Sequence, residues 1–102
     1  MSDPVKVIAK RLQRQCEVLA TASLGDSSST NWRSLLYDGA RHRIALRIDG
    51  NRVDDALAAI RRTVETSDFA ICGHLIVDIL IADIAREADH ALVTVSALTI
   101  KA

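Results

Sequence analysis

The segment "LIVDILIADIA", Leu75–Ala85, is almost entirely aliphatic, yet two carboxylates, Asp78 and Asp83, interrupt it. Residues two apart in a strand share a face, so strict alternation divides this segment into two sets. The set expected to face the core is Leu75, Val77, Ile79 and Ile81, with Asp83 next near the strand end. The set expected to face outward is His74, Ile76, Asp78, Leu80, Ala82 and Ile84. The outward set is mostly apolar, which is unusual for a face in contact with water.

The following segment, "HALVTVSALTIKA" (90–102), has the same character, and "EADH" (87–90) between the two runs fits a hairpin turn. Both faces of this hairpin need cover, and helices on one side cover only one of them. The sequence therefore predicts an apolar patch on the uncovered face, which is large enough to require a partner. Its predicted members are Ile76, Leu80, Ile84, Leu98 and Ile100. The expected cover is a second copy in a homodimer.

Two amphipathic helices are predicted. The first begins at Asp3 as N-cap and Pro4 as first helical residue, and is expected to continue to Gly25. Its apolar stripe is Val5, Ile8, Leu12, Cys16 and Leu19. The second begins after Asn51, and its stripe is Val53, Leu57, Ile60 and Val64. Between them, "DSSSTN" (26–31) has the composition of a loop.

A hairpin is predicted between the two helices. Ile44, Leu46 and Ile48 alternate with polar or small residues, a pattern typical of a half-buried strand. The "DG" at Asp38–Gly39 indicates a tight turn that joins this strand to a shorter one in "WRSLLY" (32–37). A single helical turn capped by Asn31 remains an alternative for residues 32–37.

The predicted fold is one α+β domain over residues 1–102, in the order helix, hairpin, helix, hairpin. About four antiparallel strands would form a sheet with both helices on one face. This two-layer sandwich resembles ferredoxin-like or related folds, a likeness that implies no function. The order of the strands in the sheet does not follow from the sequence.

Three arginines, Arg41, Arg43 and Arg47, fall on one face of the predicted strand, opposite its apolar residues. Together with Asp78 on the same face of the sheet, they could bind an anion or a small molecule, and so belong to an enzyme. They could also be solvated, or pair with Asp78. Asp78 itself is interpreted as a charge that discourages unwanted strand pairing, with an acid–base or metal-binding role as the alternative.

No phosphate-binding loop, zinc-type cysteine spacing or nucleophile motif is present in the sequence, so no catalytic residue, metal or cofactor is assigned. The histidines His42, His74 and His90 are isolated and expected at exposed strand starts. In "CGH" (72–74), a thiol lies near an imidazole, but a buried, inert Cys72 is the expected state. Cys16 is also expected to be buried, and both thiols reduced.

The formal net charge of zero and the small number of aromatics, three in all, disfavour binding to nucleic acid. No signal peptide or membrane-length apolar run is present, so a cytoplasmic protein without membrane attachment is expected. Residues 1–50 hold eight Lys/Arg and five Asp/Glu, and residues 51–102 hold five and eight. Either the two halves face each other within one fold, or the basic part of one copy meets the acidic part of another. The expected function is non-enzymatic association, with itself or with a protein partner.

Overall fold

The computed structural model describes residues 3–66 and 69–102. Within these residues, two helices pack on one face of a four-stranded antiparallel sheet, in the order α-ββ-α-ββ. The elements are α1 (Pro4–Cys16), β1 (Thr21–Arg33), β2 (Asp38–Asp49), α2 (Val53–Thr66), β3 (His74–Arg86) and β4 (His90–Lys101). This arrangement confirms the predicted fold class.

The strand order is β1-β2-β4-β3, so β2 and β4 are central and β1 and β3 form the two edges. Ferredoxin-like proteins have the element order β-α-β-β-α-β. Moving the first strand of that order to the C-terminal end gives the order of this chain, which accounts for the predicted resemblance without making the two identical.

Helix α1 starts as predicted and ends earlier than predicted. The Asp3 carboxylate accepts a hydrogen bond of 3.0 Å from the Val5 amide, and Pro4 occupies the first turn. The helix ends at Cys16, whose carbonyl accepts bonds from the amides of Leu19 and Ala20. The predicted extension to Gly25 is wrong because the chain from Thr21 onward pairs with β2. The stripe that begins at Val5 nevertheless packs on the core along its whole length, Leu19 included.

Strand β1 contains the segment that was expected to be a loop. Ser27, Ser28, Ser29 and Thr30 pair in register with Ile44, Arg43, His42 and Arg41 of β2. A β-bulge between Leu24 and Ser27 accommodates the Gly25–Asp26 pair. Small hydroxyl residues are acceptable here because β1 is an edge strand and its outward face needs no apolar cover. The loop assignment for 26–31 is therefore wrong.

The turn between β1 and β2 is Ser34–Tyr37, so the predicted turn at Asp38–Gly39 is wrong. The Ser34 amide donates to the Tyr37 carbonyl at 2.8 Å, and the Ser34 hydroxyl accepts from the Tyr37 amide at 3.1 Å. Gly39 instead lies within β2, under the Trp32 ring. A Cβ there would overlap the Thr99 carbonyl oxygen and come within 2.6 Å of the indole. Gly39 is thus required by close packing rather than by a turn.

Helix α2 follows its predicted stripe: Val53, Ile60 and Val64 are buried and Leu57 is partly buried. The core lies between the helices and one face of the sheet, to which β2 contributes Ile44, Leu46 and Ile48. Central strand β4 contributes the alternate residues Ala91, Val93, Val95 and Ala97. In the described residues, neither helix is long and apolar enough to cross a membrane.

Candidate interaction surface on the open face of the sheet

Two β-bulges in β3 change which residues face the helices. The register with β4 shifts between Ile76 and Asp78 and again between Ile81 and Asp83. Each extra residue reverses the alternation, so the side chains that pack on the core are Ile76, Ile79, Ile81 and Ile84. The assignment of Ile76 and Ile84 to the outward face is therefore wrong, as is the assignment of Leu75 and Val77 to the core.

The same bulges place both carboxylates on the face away from the helices, which we call the open face. Asp78 pairs with Leu98, and Asp83 pairs with Thr94, both on the outward side of β4. The open face consists of Ser23, Ser28, Thr30 and Trp32 from β1, Arg41, Arg43, Ala45 and Arg47 from β2, Leu92, Thr94, Ser96, Leu98 and Ile100 from β4, and Leu75, Asp78, Leu80, Asp83 and Ala85 from β3. The arginine row and Asp78 thus lie on one face, together with three of the five predicted patch residues, Leu80, Leu98 and Ile100.

The apolar part of the open face is formed by β3 and β4. Leu75, Leu80 and Leu92 are 55%, 45% and 47% exposed, although all three lie in strands rather than in loops. Leu98 and Ile100 are half-buried beside Leu75 and Leu80, whereas Leu92 lies further along β4, beyond the row of Asp83 and Thr94. Aliphatic side chains from the start of β3 and the end of β4 therefore meet in one area in contact with water. Such areas are typical of surfaces that bind another macromolecule.

The charges on the open face are separated by strand. Arg41, Arg43 and Arg47 lie on β2, and Asp78 and Asp83 lie on β3, with β4 between them. Arg41 and Asp78 flank the same residue, Leu98, on its two sides. Because neighbouring strands are about 4.8 Å apart, the backbones of this arginine and this aspartate are about 10 Å apart. The two groups lie in one row across the sheet without direct contact.

Among the described residues, neither Asp78 nor Asp83 forms an ion pair, and the same holds for Arg41 and Arg43. Arg47 binds Asp49 of its own strand at 3.0 Å. The predicted alternative in which the arginine row pairs with Asp78 inside one chain is thus not realised. Within the described part of the chain, Arg41, Arg43, Asp78 and Asp83 are left available to a partner.

Trp32 closes one end of the open face. With Thr30, Arg41 and Leu98, it lines a shallow, largely apolar cavity of about 390 Å³. Its indole Nε1–H is buried and has no acceptor among the described residues. A buried donor without an acceptor is costly.

A further exposed apolar group lies at the β1–β2 turn, where Leu35 is 103% and Leu36 is 83% exposed. These leucines were expected within a strand or a helical turn, and their role as a surface feature was missed. Two consecutive leucines between a strand end and a tyrosine were the available signal.

The thiols and imidazoles differ from expectation in two places. Cys16 is buried, and burial raises the pKa of its thiol, as expected for an inert cysteine. Cys72 is exposed, so its predicted burial is wrong; the preceding Ile71 fills the core position instead. His42 is buried within β2 rather than exposed at a strand start. In residues 3–66 and 69–102, no three His, Cys, Asp or Glu side chains are grouped to hold a metal ion.

Comparison with protein-family models, curated proteins and solved structures finds no match to this chain. Its function is therefore inferred from the geometry of the chain itself.

Proposed function

We propose that this protein acts by self-association, with the open faces of two copies packed against each other in a homodimer. One observation carries the proposal: the open face combines exposed aliphatic side chains with opposite charges, Arg41 and Arg43 on β2 and Asp78 and Asp83 on β3, that form no ion pair in the described residues. The proposed dimer is cytoplasmic, the location expected from the sequence.

A two-fold axis running along β4 makes this surface complementary to itself. Rotation about that axis lays β4 on the partner's β4 and lays β2 on the partner's β3, because β2 and β3 flank β4 on opposite sides. Residues that are paired side by side across β2, β4 and β3 form one row, and this rotation places each row of one copy opposite the same row of the other copy. Arg41 of one copy then faces Asp78 of the other, and the symmetry repeats the pair.

The same rotation buries the apolar part of the surface. Leu98 lies near the axis and meets its own counterpart, and Arg43 covers Leu80 of the other copy with its aliphatic stem. Two twisted sheets pack with their strands about 30° apart and their backbones about 10 Å apart. This spacing lets an arginine and an aspartate meet between the sheets, so that neither charge is buried without a partner.

Charge exchange provides the test. Arg41→Asp and Asp78→Arg should each weaken the dimer, because each places like charges opposite each other. The double variant should restore it, since an aspartate and an arginine then face each other again with their positions exchanged. Arg62→Asp, on the exposed side of α2, is the matched control and should leave the dimer unchanged. The measurement is analytical ultracentrifugation over a concentration series.

Two results would overturn the dimer. One is a wild-type protein that stays monomeric up to about 100 µM, a concentration at which a dimer of about −6 kcal/mol is already populated. The other is a double variant that associates no better than the single ones. Binding of a different protein at this face would appear as a wild-type monomer that captures a partner through the same residues.

A second candidate function is the binding of a small anionic molecule at the end of the open face. Trp32 and Arg41 border one cavity, together with Leu98. An apolar ligand with a carboxylate would pack on the indole ring and Leu98, and its carboxylate would bind the Arg41 guanidinium. Thermal stabilisation by members of an organic-acid library, lost in Arg41→Gln, would support this candidate.

A further inference from the structure

A hydrogen-bonded chain of three side chains lies on the helix side of the sheet. The Ser29 hydroxyl is 2.7 Å from His42 Nδ1, and His42 Nε2 is 2.9 Å from the Thr99 hydroxyl. His42 and Thr99 are buried, whereas Ser29 is exposed. The three residues come from β1, β2 and β4, and neighbouring strands hold them side by side. A serine that contacts an oriented, buried histidine is the arrangement of an activated nucleophile.

The surroundings of Thr99 allow this chain to run in the direction that a general base requires. The Thr99 hydroxyl lies 3.5 Å from the Ala40 carbonyl oxygen, to which it can donate, and 2.9 Å from His42 Nε2, from which it can accept. In that tautomer, Nδ1 carries the free lone pair and accepts the Ser29 hydroxyl proton. Thr99 then acts as a positioning residue for the imidazole.

The electrostatic surroundings also favour a neutral base. Burial lowers the pKa of His42, the Asp3 carboxylate opposes this change, and His74 adds to it. The net direction is downward, so the imidazole is unprotonated at neutral pH. Asp3 lies near enough to favour the imidazolium that forms while a proton is held on the ring.

Ser29 opens onto a small cavity between β1 and the first turn of α1. The cavity has a volume of about 220 Å³ and is lined by Asp3, Val5, Lys6, Leu24, Ser27, Ser28 and Ser29. Lys6 lines this cavity, and so does Asp3, whose carboxylate already caps the N-terminus of α1 by accepting from the Val5 amide. The positive charge of Lys6 would stabilise negative charge that develops on an oxygen bound there.

We propose that Ser29 is a nucleophile for small carboxylic esters, with His42 as its general base. The Ser29 oxygen attacks the ester carbonyl carbon while its proton passes to His42 Nδ1. The carbon–oxygen bond to the leaving alcohol then breaks, and the alcohol takes that proton from Nδ1–H. Acyl-Ser29 remains. Water, deprotonated by the same nitrogen, then attacks the acyl carbon, the bond from that carbon to Ser29 Oγ breaks, and Oγ takes the proton back from Nδ1–H, so that the carboxylic acid is released. This site lies on the opposite side of the sheet from the proposed dimer surface and does not depend on it.

The test is covalent labelling of the full chain with an alkyl fluorophosphonate, followed by peptide mass spectrometry, and parallel release of nitrophenol from p-nitrophenyl acetate. Label is expected on Ser29 and absent from Ser27, which lines the same cavity without a histidine partner. Ser29→Ala should abolish the label, and Ser27→Ala, the matched control, should leave it unchanged.

His42→Gln should slow labelling by about 100-fold or more, the usual contribution of a general base. Thr99→Val should lower the rate and Thr99→Ser should restore it, with the melting temperature of each variant showing that it is folded. If His42→Gln does not fold, the Thr99 pair supplies the same comparison. A folded wild-type protein in which Ser29 is labelled no faster than Ser27, or a rate that is insensitive to both His42→Gln and Thr99→Val, would overturn the proposal.

Discussion

The two edge strands, β1 and β3, are each 13 residues long, yet they have opposite compositions. Strand β1 is rich in serine and threonine, and 11 of its residues are exposed. Strand β3 is rich in isoleucine and leucine, and it directs an isoleucine from each of four positions onto the core. Both occupy equivalent places, one beside β2 and the other beside β4.

This difference shows that position in the sheet, and not composition, makes β1 a strand. Its register is fixed by β2, by the contact of Ala22 with the core and by the Ser29–His42 hydrogen bond. Strand β3 is held by its own apolar residues. We therefore expect β1 to depend on its neighbours and β3 to be stabilised mainly by side-chain burial.

The largest loss of stability should come from Leu12→Ala in α1, the helix that packs beside β1 and β2. Leu12 is fully buried, so its truncation should lower the free energy of unfolding by about 2–5 kcal/mol. Leu57→Ala in α2 should cost about half as much, because Leu57 is only partly buried. Urea denaturation followed by circular dichroism measures both. A Leu12→Ala variant as stable as the wild type would show that α1 does not hold this half of the sheet.

A smaller loss is expected from Gly39→Ala at the far end of β1 and β2. The new methyl would clash with the Thr99 carbonyl oxygen and the Trp32 ring. The Thr99 carbonyl belongs to the backbone of β4, which cannot move aside as easily as a flexible side chain. We expect a loss of about 1–3 kcal/mol, the usual cost of overpacking. Gly25→Ala in the β1 bulge is the control, since its Cβ would lie at an ordinary 3.5 Å from Ala45. Equal losses in the two variants would contradict the close packing at Gly39.

The comparison also explains what could be predicted from the sequence. Alternation identified β2 and the β3–β4 hairpin, and three- and four-residue spacing identified both helices, because those elements bury one face. Strand β1 buries almost nothing, so most of its sequence carries no such pattern and was assigned to the end of a helix and a loop, with only Trp32 and Arg33 falling in a predicted short strand. The faces of β3 were partly inverted because a β-bulge leaves no mark in a run of aliphatic residues.

The candidate site, likewise, was predicted only in part. Arg41, Arg43, Arg47 and Asp78 were placed on the correct face because β2 alternates strictly and Asp78 happens to follow one bulge. The Ser29–His42–Thr99 chain was missed. It joins three strands, and the order of those strands could not be derived from the sequence.

A still smaller effect is expected from pH, through the histidine that joins β1 to β2. The pKa of His42 is lowered from 6.5 in the folded state, mainly by burial. The unfolded chain therefore binds this proton first, so the stability contribution is complete above about pH 6.5 and declines as the pH falls toward the folded-state pKa. Below that value the contribution is constant. Urea midpoints between pH 5 and 8 should fall on acidification in the wild type and fall less in His42→Gln. Identical pH profiles would show that His42 titrates alike in both states.

The smallest effect is expected in the reactivity of the two native thiols, which requires no mutation. Cys16 precedes β1 and Cys72 precedes β3, so each thiol reports on the start of one edge strand. Cys72 is exposed and should react at once with a thiol reagent, whereas Cys16 is buried and its sulfur donates to the Leu12 carbonyl at 3.4 Å. Burial also raises the pKa of Cys16, which lowers its thiolate fraction. One thiol per folded chain should therefore be modified rapidly, and the second only as fast as the chain opens. If Cys16 reacts faster than global unfolding allows, the end of α1 and the start of β1 open locally, as expected for an edge held by its neighbours. If Cys16 and Cys72 react at the same rate, the end of α1 is not packed on the sheet, and the dependence of β1 on α1 is disproved.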